Sequence, residues 1–150
     1  MNNIFFYETK FGIIGIRANE KAIINIYFSK VDTNDKIEET DLIKKCFNQI
    51  NEYLLGKRKV FDLPIEPKGT EFQKKVWSYL LEIPYGQTKT YKDVAIAIGN
   101  EKACRAVGMA NNKNPIPIII PCHRVIGSNG KLVGYNGGLS IKEYLLNIEK

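Results

Sequence analysis

Hydrophobic and polar positions follow two different rhythms along this chain. In the first stretch the apolar residues come in short runs, rich in β-branched and aromatic side chains. Ile4 to Tyr7, Gly12 to Arg17 and Ala22 to Phe28 are such runs, separated by turn signals at Lys10 and Asn19-Glu20, and they predict three strands. From Asp41 to Leu55 the spacing changes. Leu42, Ile43, Cys46, Phe47, Ile50 and Leu54 recur at three- and four-residue intervals, which predicts a helix with one buried stripe, ended by Gly56. Phe61 to Ile65 reads as one more edge strand, and Glu66-Pro67-Lys68-Gly69 as a linker. Residues 1–68 are therefore expected to form a small α+β unit.

Beyond the linker the rhythm is helical. Thr70 and Gln73 form a capping box, followed by Phe72, Val76, Trp77, Leu80 and Leu81 at helical spacing, and Pro84-Tyr85-Gly86 ends the run. Thr90 caps a short helix predicted over Tyr91 to Ile98 and stopped by Gly99; another is predicted from about Glu101 to Asn111. Two short helices joined by a tight glycine-containing turn are a helix-turn-helix candidate. Arg105 and Asn112 are its candidate nucleic-acid contacts, and the small residues Ala103, Ala106, Gly108 and Ala110 suit either close approach to a groove or packing on a neighbouring helix.

Asn114-Pro115-Ile116-Pro117 is excluded from helix, because each proline drives its predecessor to extended geometry. A buried run, Ile118 to Ile120, leads into Pro121-Cys122-His123-Arg124-Val125. A glycine-rich loop follows, and Ser140 with Glu143 reads as a capping box opening a last helix to about Glu149.

Composition narrows the classes. With 44% apolar and 25% charged residues the chain can bury a core. No apolar run approaches the roughly 20 residues of a membrane span, and the first residues lack a signal-peptide pattern; a cytoplasmic protein without a membrane partner is expected. The net charge of +6 is uneven: residues 69–150 carry 11 basic and 6 acidic side chains, residues 1–68 carry 11 and 10. A basic C-terminal half permits a polyanionic partner without requiring one.

Three cysteines at 46, 104 and 122 and a single histidine form neither a disulfide framework nor paired zinc ligands. No metal and no cofactor are expected. Cys46 and Cys104 read as ordinary thiols. Cys122 differs, because Pro121-Cys122-His123-Arg124 places a nucleophile, a base and a cation together. Thiol chemistry runs through the thiolate, which a neighbouring base or cation favours. Adjacent residues of an extended segment point to opposite sides, so Cys122 and His123 need a turn or a bridging water to communicate. A third group, preferably a carboxylate, is needed to orient the imidazole. A buried thiol beside a capping histidine accounts for the same four residues.

The run from Gly69 to Glu149 resembles the C-terminal domain of the O6-alkylguanine-DNA alkyltransferases. The resemblance is carried by Pro121-Cys122-His123-Arg124-Val125 together with Phe72-Gln73, Val76-Trp77, Ile83-Pro84-Tyr85-Gly86, Arg105-Ala106-Val107-Gly108, Asn114-Pro115, Gly134-Tyr135 and Gly137-Gly138-Leu139, in order and without a gap. The resemblance implies an α+β protein with a small ribonuclease H-like N-terminal domain (1–68) and a mostly helical C-terminal DNA-binding and transfer domain (69–150) containing the helix-turn-helix.

It also implies roles. Cys122 accepts the alkyl group of O6-alkylguanine, and of O4-alkylthymine as a second substrate, once and irreversibly. His123 acts as base through a water, Glu149 orients His123, and Asn114 braces the site. Tyr91 protonates the leaving guanine at N3 and helps rotate the nucleotide outward. Arg105 fills the gap left in the duplex. Ala103, Ala106, Gly108 and Asn112 face DNA in the minor groove, while Tyr135, Val125 and Asn136 line the base pocket. The expected partner is double-stranded DNA bound by a monomer. A Cys-His hydrolase remains the rival reading outside nucleic-acid chemistry, and it requires turnover with a regenerated thiol.

Overall fold

The computed structural model describes residues 2–150, which divide into two compact units, 2–68 and 69–150. In the first unit β1 (Asn3–Thr9), β2 (Gly12–Ala18) and β3 (Ile23–Tyr27) form an antiparallel meander. A two-residue strand, β4 (Lys36–Ile37), pairs parallel to β1, giving the sheet order β3-β2-β1-β4. Helix α1 (Asp41–Leu54) starts where the Thr40 hydroxyl accepts the Ile43 amide, and it lays Ile43, Cys46, Ile50 and Tyr53 against β2 and β3.

The three strands and α1 follow the hydrophobic pattern. β4 does not, because both its residues are exposed and a two-residue pairing leaves no periodicity. The edge strand expected over Phe61 to Ile65 contracts to one bridge between Ile65 and Ile23. Pro64 offers its carbonyl to Ile23 but has no N–H to extend a ladder. Gln49 closes this segment onto α1 with two hydrogen bonds to the Asp62 backbone, at 2.9 and 3.2 Å.

In the second unit α2 (Glu71–Leu80) has the capping box expected from Thr70 and Gln73. Its Trp77 is buried and donates its indole N–H to the Ala110 carbonyl at 2.8 Å. Strand β5 (Lys89–Thr90) leads directly into α3 (Tyr91–Ala97), where Thr90 and Asp93 form a second reciprocal cap. Helix α4 (Cys104–Asn112) packs on both α2 and α3, completing the helix-turn-helix. It starts at Cys104 rather than Glu101, since the turn after Gly99 is closed by the Ala103 amide on the Asn100 carbonyl.

A 3₁₀ turn at Cys122–Arg124 runs into β6 (Val125–Ile126), which pairs parallel to β5. Helix α5 (Leu139–Ile148) closes the unit. Ser140 does not cap it. Gly138, at φ +98°, makes the entry, and its carbonyl accepts the Lys142 amide at 3.2 Å, so Ser140 already lies inside the first turn. No helix among the described residues is long and apolar enough to cross a membrane.

Trp77→Phe removes the indole donor to the Ala110 carbonyl while keeping an aromatic ring in the core. A loss of about 1–3 kcal/mol is expected from the urea unfolding midpoint; an unchanged midpoint would show that this bond does not hold α2 to α4.

Candidate active site

The centre of the second unit is a buried carboxylate. Glu149, immediately after α5, places Oε2 2.8 Å from His123 Nε2, and its two oxygens accept Arg124 Nε and Nη2 at 2.9 and 3.0 Å. The backbone N–H of Gly86 donates to Oε1 at 3.0 Å. Glu149 and Arg124 have only 5% and 8% of their surface exposed and His123 none, so these contacts are formed in a medium that favours paired charges. Arg124 spends its remaining arm on the Ile83 carbonyl at 2.7 Å, and its guanidinium lies 5.7 Å from the Tyr85 ring. The Tyr85 hydroxyl donates to the Ile148 carbonyl at 2.9 Å.

The turn Ile83-Pro84-Tyr85-Gly86 thus grips the end of α5. Gly86 is required there twice over. Its φ is +83°, and a Cβ would stand 3.1 Å from the Glu149 carbonyl oxygen.

Cys122 follows a strained approach. Ile118 has φ +74°, a conformation that β-branched residues rarely adopt, within the buried run Ile116 to Ile120. The chain is held there by Asn114, whose side chain accepts the Ile116 amide at 3.0 Å and donates to the Ile120 carbonyl at 2.8 Å. Cys122 is therefore presented on a 3₁₀ turn that it shares with His123, not on an extended segment.

Burial pushes the Cys122 thiol up to about 11, while a hydrogen bond from Asn114 and the charge of Lys142 pull it back. Burial holds His123 below its usual 6.5, outweighing the Glu149 carboxylate, so the imidazole is a neutral base at rest. The site combines a protonated thiol, a neutral imidazole and an orienting carboxylate.

Lys142 completes the polar set. Fully buried on α5, its ammonium donates to the Val125 carbonyl at 2.7 Å and the Val133 carbonyl at 2.9 Å, and burial lowers its pKa to about 8. The Tyr91 hydroxyl donates to the same Val133 carbonyl at 3.1 Å. Asn111 is also buried; its amide nitrogen donates to the Cys122 carbonyl at 3.3 Å, whereas its Oδ1 has no hydrogen-bond partner. An unsatisfied buried acceptor costs about 1–3 kcal/mol.

Cys122, His123, Glu149, Asn114, Val125 and Tyr91 are joined by these contacts or lie beside them. Tyr135 is buried in the glycine-rich loop; Asn136 next to it is exposed. Arg105, Ala106 and Asn112 stand exposed along α4, with Ala103 and Gly108 half-buried. Met109, 60% exposed on the same face as Arg105 and Asn112, joins them and has no counterpart in the sequence reading. Arg124, Gly86 and Asn111 were also missed as site residues. Arg124 had a signal, its place beside His123; the Gly86 contact is a backbone one, which no side-chain pattern reports. Among the described residues no cluster of metal-ligating side chains occurs.

Comparison with known proteins gives this arrangement a family. Residues 71–150 match the family model described as 6-O-methylguanine DNA methyltransferase, DNA binding domain, and residues 5–67 match the ribonuclease-like domain of the same family. The chain belongs to the 6-O-methylguanine DNA methyltransferase family.

A family member from Methanosarcina barkeri, a methylated-DNA–protein-cysteine methyltransferase, is 50% identical over 148 residues, 95% of this chain and 94% of that protein. The constitutive methylated-DNA–protein-cysteine methyltransferase of Bacillus subtilis is 44% identical, covering 100% of this chain and 96% of its own. Among solved structures, Mycobacterium tuberculosis OGT in complex with DNA superposes with a TM-score of 0.91 at 38% identity, over 99% of this chain and 92% of that one. The two-domain α+β architecture of the methyltransferase family is the one found here.

Arg124→Met leaves Glu149 without its bidentate partner and is expected to destabilise the protein by about 3–5 kcal/mol in chemical denaturation. Arg124→Lys should recover only part, since one ammonium cannot serve both carboxylate oxygens and the Ile83 carbonyl. A loss under about 1 kcal/mol for the methionine variant would remove Arg124 from this role.

Proposed function

We propose that this protein repairs O6-alkylguanine in duplex DNA by moving the alkyl group onto its own Cys122, once per molecule. The observation that carries the reading is the buried Cys122-turn-His123-Glu149 arrangement in a chain of this family. The names of its relatives contain the same reaction, methylated DNA to protein cysteine.

The chemistry follows from the resting protonation states. The thiol gives its proton through a water to neutral His123, and Glu149 stabilises the imidazolium that forms. The thiolate attacks the O6-bound carbon in line. A C–S bond forms, the C–O bond breaks, and its electron pair passes into the purine. Tyr91 delivers a proton to N3, leaving neutral guanine; the phenolate recovers the proton first taken from Cys122. The thioether has no route back, so the reaction is stoichiometric.

A base must leave the stack for this to happen. α4 is the proposed minor-groove element, with Arg105 entering the duplex and Ala103, Ala106, Gly108 and Asn112 lying along the groove. Tyr135, the backbone at Asn136 and the carbonyls of Cys122 and Val125 are the proposed pocket for the extruded base. Buried amines or amides hold both carbonyls, Lys142 on Val125 and Asn111 on Cys122, which supports a fixed acceptor pair. O4-alkylthymine is the proposed second substrate, and the protein is proposed to act as a monomer in the cytoplasm.

Incubation with a duplex containing O6-methylguanine, followed by intact-protein mass spectrometry, is expected to add one methyl group, on Cys122, with no second turnover. Cys122→Ala should abolish transfer and keep duplex binding. Loss of the lesion with the thiol still free would return the case to the hydrolase reading.

The pH profile is a separate check. Because His123 is held below 6.5 and acts as the neutral base, the transfer rate should be level above pH 7 and fall on the acid side, with a midpoint under 6.5. A midpoint above 7 in single-turnover measurements would contradict the proposed base.

A further inference from the structure

One buried amide has a second N–H that this chemistry leaves unused. Asn111 lies on the penultimate residue of α4, 2% exposed, with its amide nitrogen on the Cys122 carbonyl and its Oδ1 without a hydrogen-bond partner. Turning the amide over would set Oδ1 against the Cys122 carbonyl, two acceptors facing each other. The nitrogen-inward orientation is therefore the one the site enforces.

A second observation locates what else that nitrogen faces. Gly108 and Asn111 are three residues apart and share a side of α4. A Cβ on Gly108 would stand 3.9 Å from two carbons of the Tyr91 ring, so Tyr91 packs over this side of the helix. The Asn111 side chain is buried on that same side, and its interaction with the phenol favours the ionised form, against the burial that disfavours it. An amide nitrogen has two hydrogens, enough for the Cys122 carbonyl and the Tyr91 oxygen together.

We propose that Asn111 is a positioning residue for alkyl transfer, its amide N–H stabilising the Tyr91 oxygen as that hydroxyl releases its proton to the departing guanine. The proposal rests on the function proposed above, in which Tyr91 is the acid. The same amide ties Tyr91 to the backbone of the nucleophile. The acid and the attacking sulfur are thereby held in one frame. Oδ1 without a partner fits this use, because the contribution of the side chain lies in its two donors.

The test is a double-mutant cycle on the full-length protein. Asn111→Leu and Asn111→Met, alone and with Tyr91→Phe, are assayed in single-turnover methyl transfer from an O6-methylguanine duplex. The final methylated fraction counts the correctly folded molecules, so rates are compared per competent molecule. In the wild-type background both Asn111 variants should slow transfer by about 10- to 100-fold, the scale of losing one donor to a developing anion. In the Tyr91→Phe background the further slowing should fall to less than about threefold, and duplex affinity should be unchanged in either background.

Equal slowing with and without the Tyr91 hydroxyl would overturn the proposal and leave Asn111 as a support for the Cys122 carbonyl alone. So would a rate within about twofold of wild type in the single variants, or an effect confined to duplex affinity. If the unmodified protein itself transfers no methyl group, the failure lies with the function proposed above and not with Asn111.

Discussion

A carboxylate carried just past the last turn of a helix and buried among partners holds the second unit together. Glu149 joins three parts of the chain at one point: the end of α5, the 3₁₀ turn through His123 and Arg124, and the turn Ile83-Pro84-Tyr85-Gly86 through the Gly86 amide and, by way of Arg124, the Ile83 carbonyl. Charge removed from water at such a place is tolerated only when each oxygen is met. The structural role and the chemical role cannot be separated here. The contacts that keep Glu149 buried also fix the imidazole beside the cysteine.

The rest of the site consists of carbonyl groups and the donors that hold them. Asn114 fixes the Ile120 carbonyl, Asn111 that of Cys122, and Lys142 those of Val125 and Val133. Little of the chain from Ile116 to Val133 is regular helix or sheet, so its backbone groups lack the partners that secondary structure provides. Three buried polar side chains take their place. The strained Ile118 is held in the same framework.

Local signals were readable in the sequence where a residue acts on its own neighbours. Thr70 with Gln73, Thr90 at the head of α3, and the stripes of α1 and α2 needed nothing beyond spacing. The reading of Ser140 and Glu143 as a cap failed because the pattern is necessary but not sufficient; Gly138 had already turned the chain. Partnerships across long separations were a different matter. His123 and Glu149 were paired through family resemblance, since a lone acid 26 residues away carries no local mark. Asn111 read only as the end of a predicted helix, and it is its buried position on the inner side of α4 that brings it to the site. The Gly86 contact was invisible as chemistry because every residue but proline has the same N–H.

The Val133 carbonyl accepts both the Tyr91 hydroxyl at the start of α3 and the Lys142 ammonium on α5. On either side of it stand Gly130 and Gly134, both at positive φ, and Gly138 with the same freedom lies at the loop's end. A segment this rich in glycine would ordinarily behave as a slack tether. It is instead fastened at its middle by one oxygen and closed on each arm by a short turn, Gly127 N–H on the Lys131 carbonyl and Gly138 N–H on the Tyr135 carbonyl. The Val133 carbonyl is thus a point where the first helix of the helix-turn-helix and the last helix share a single acceptor.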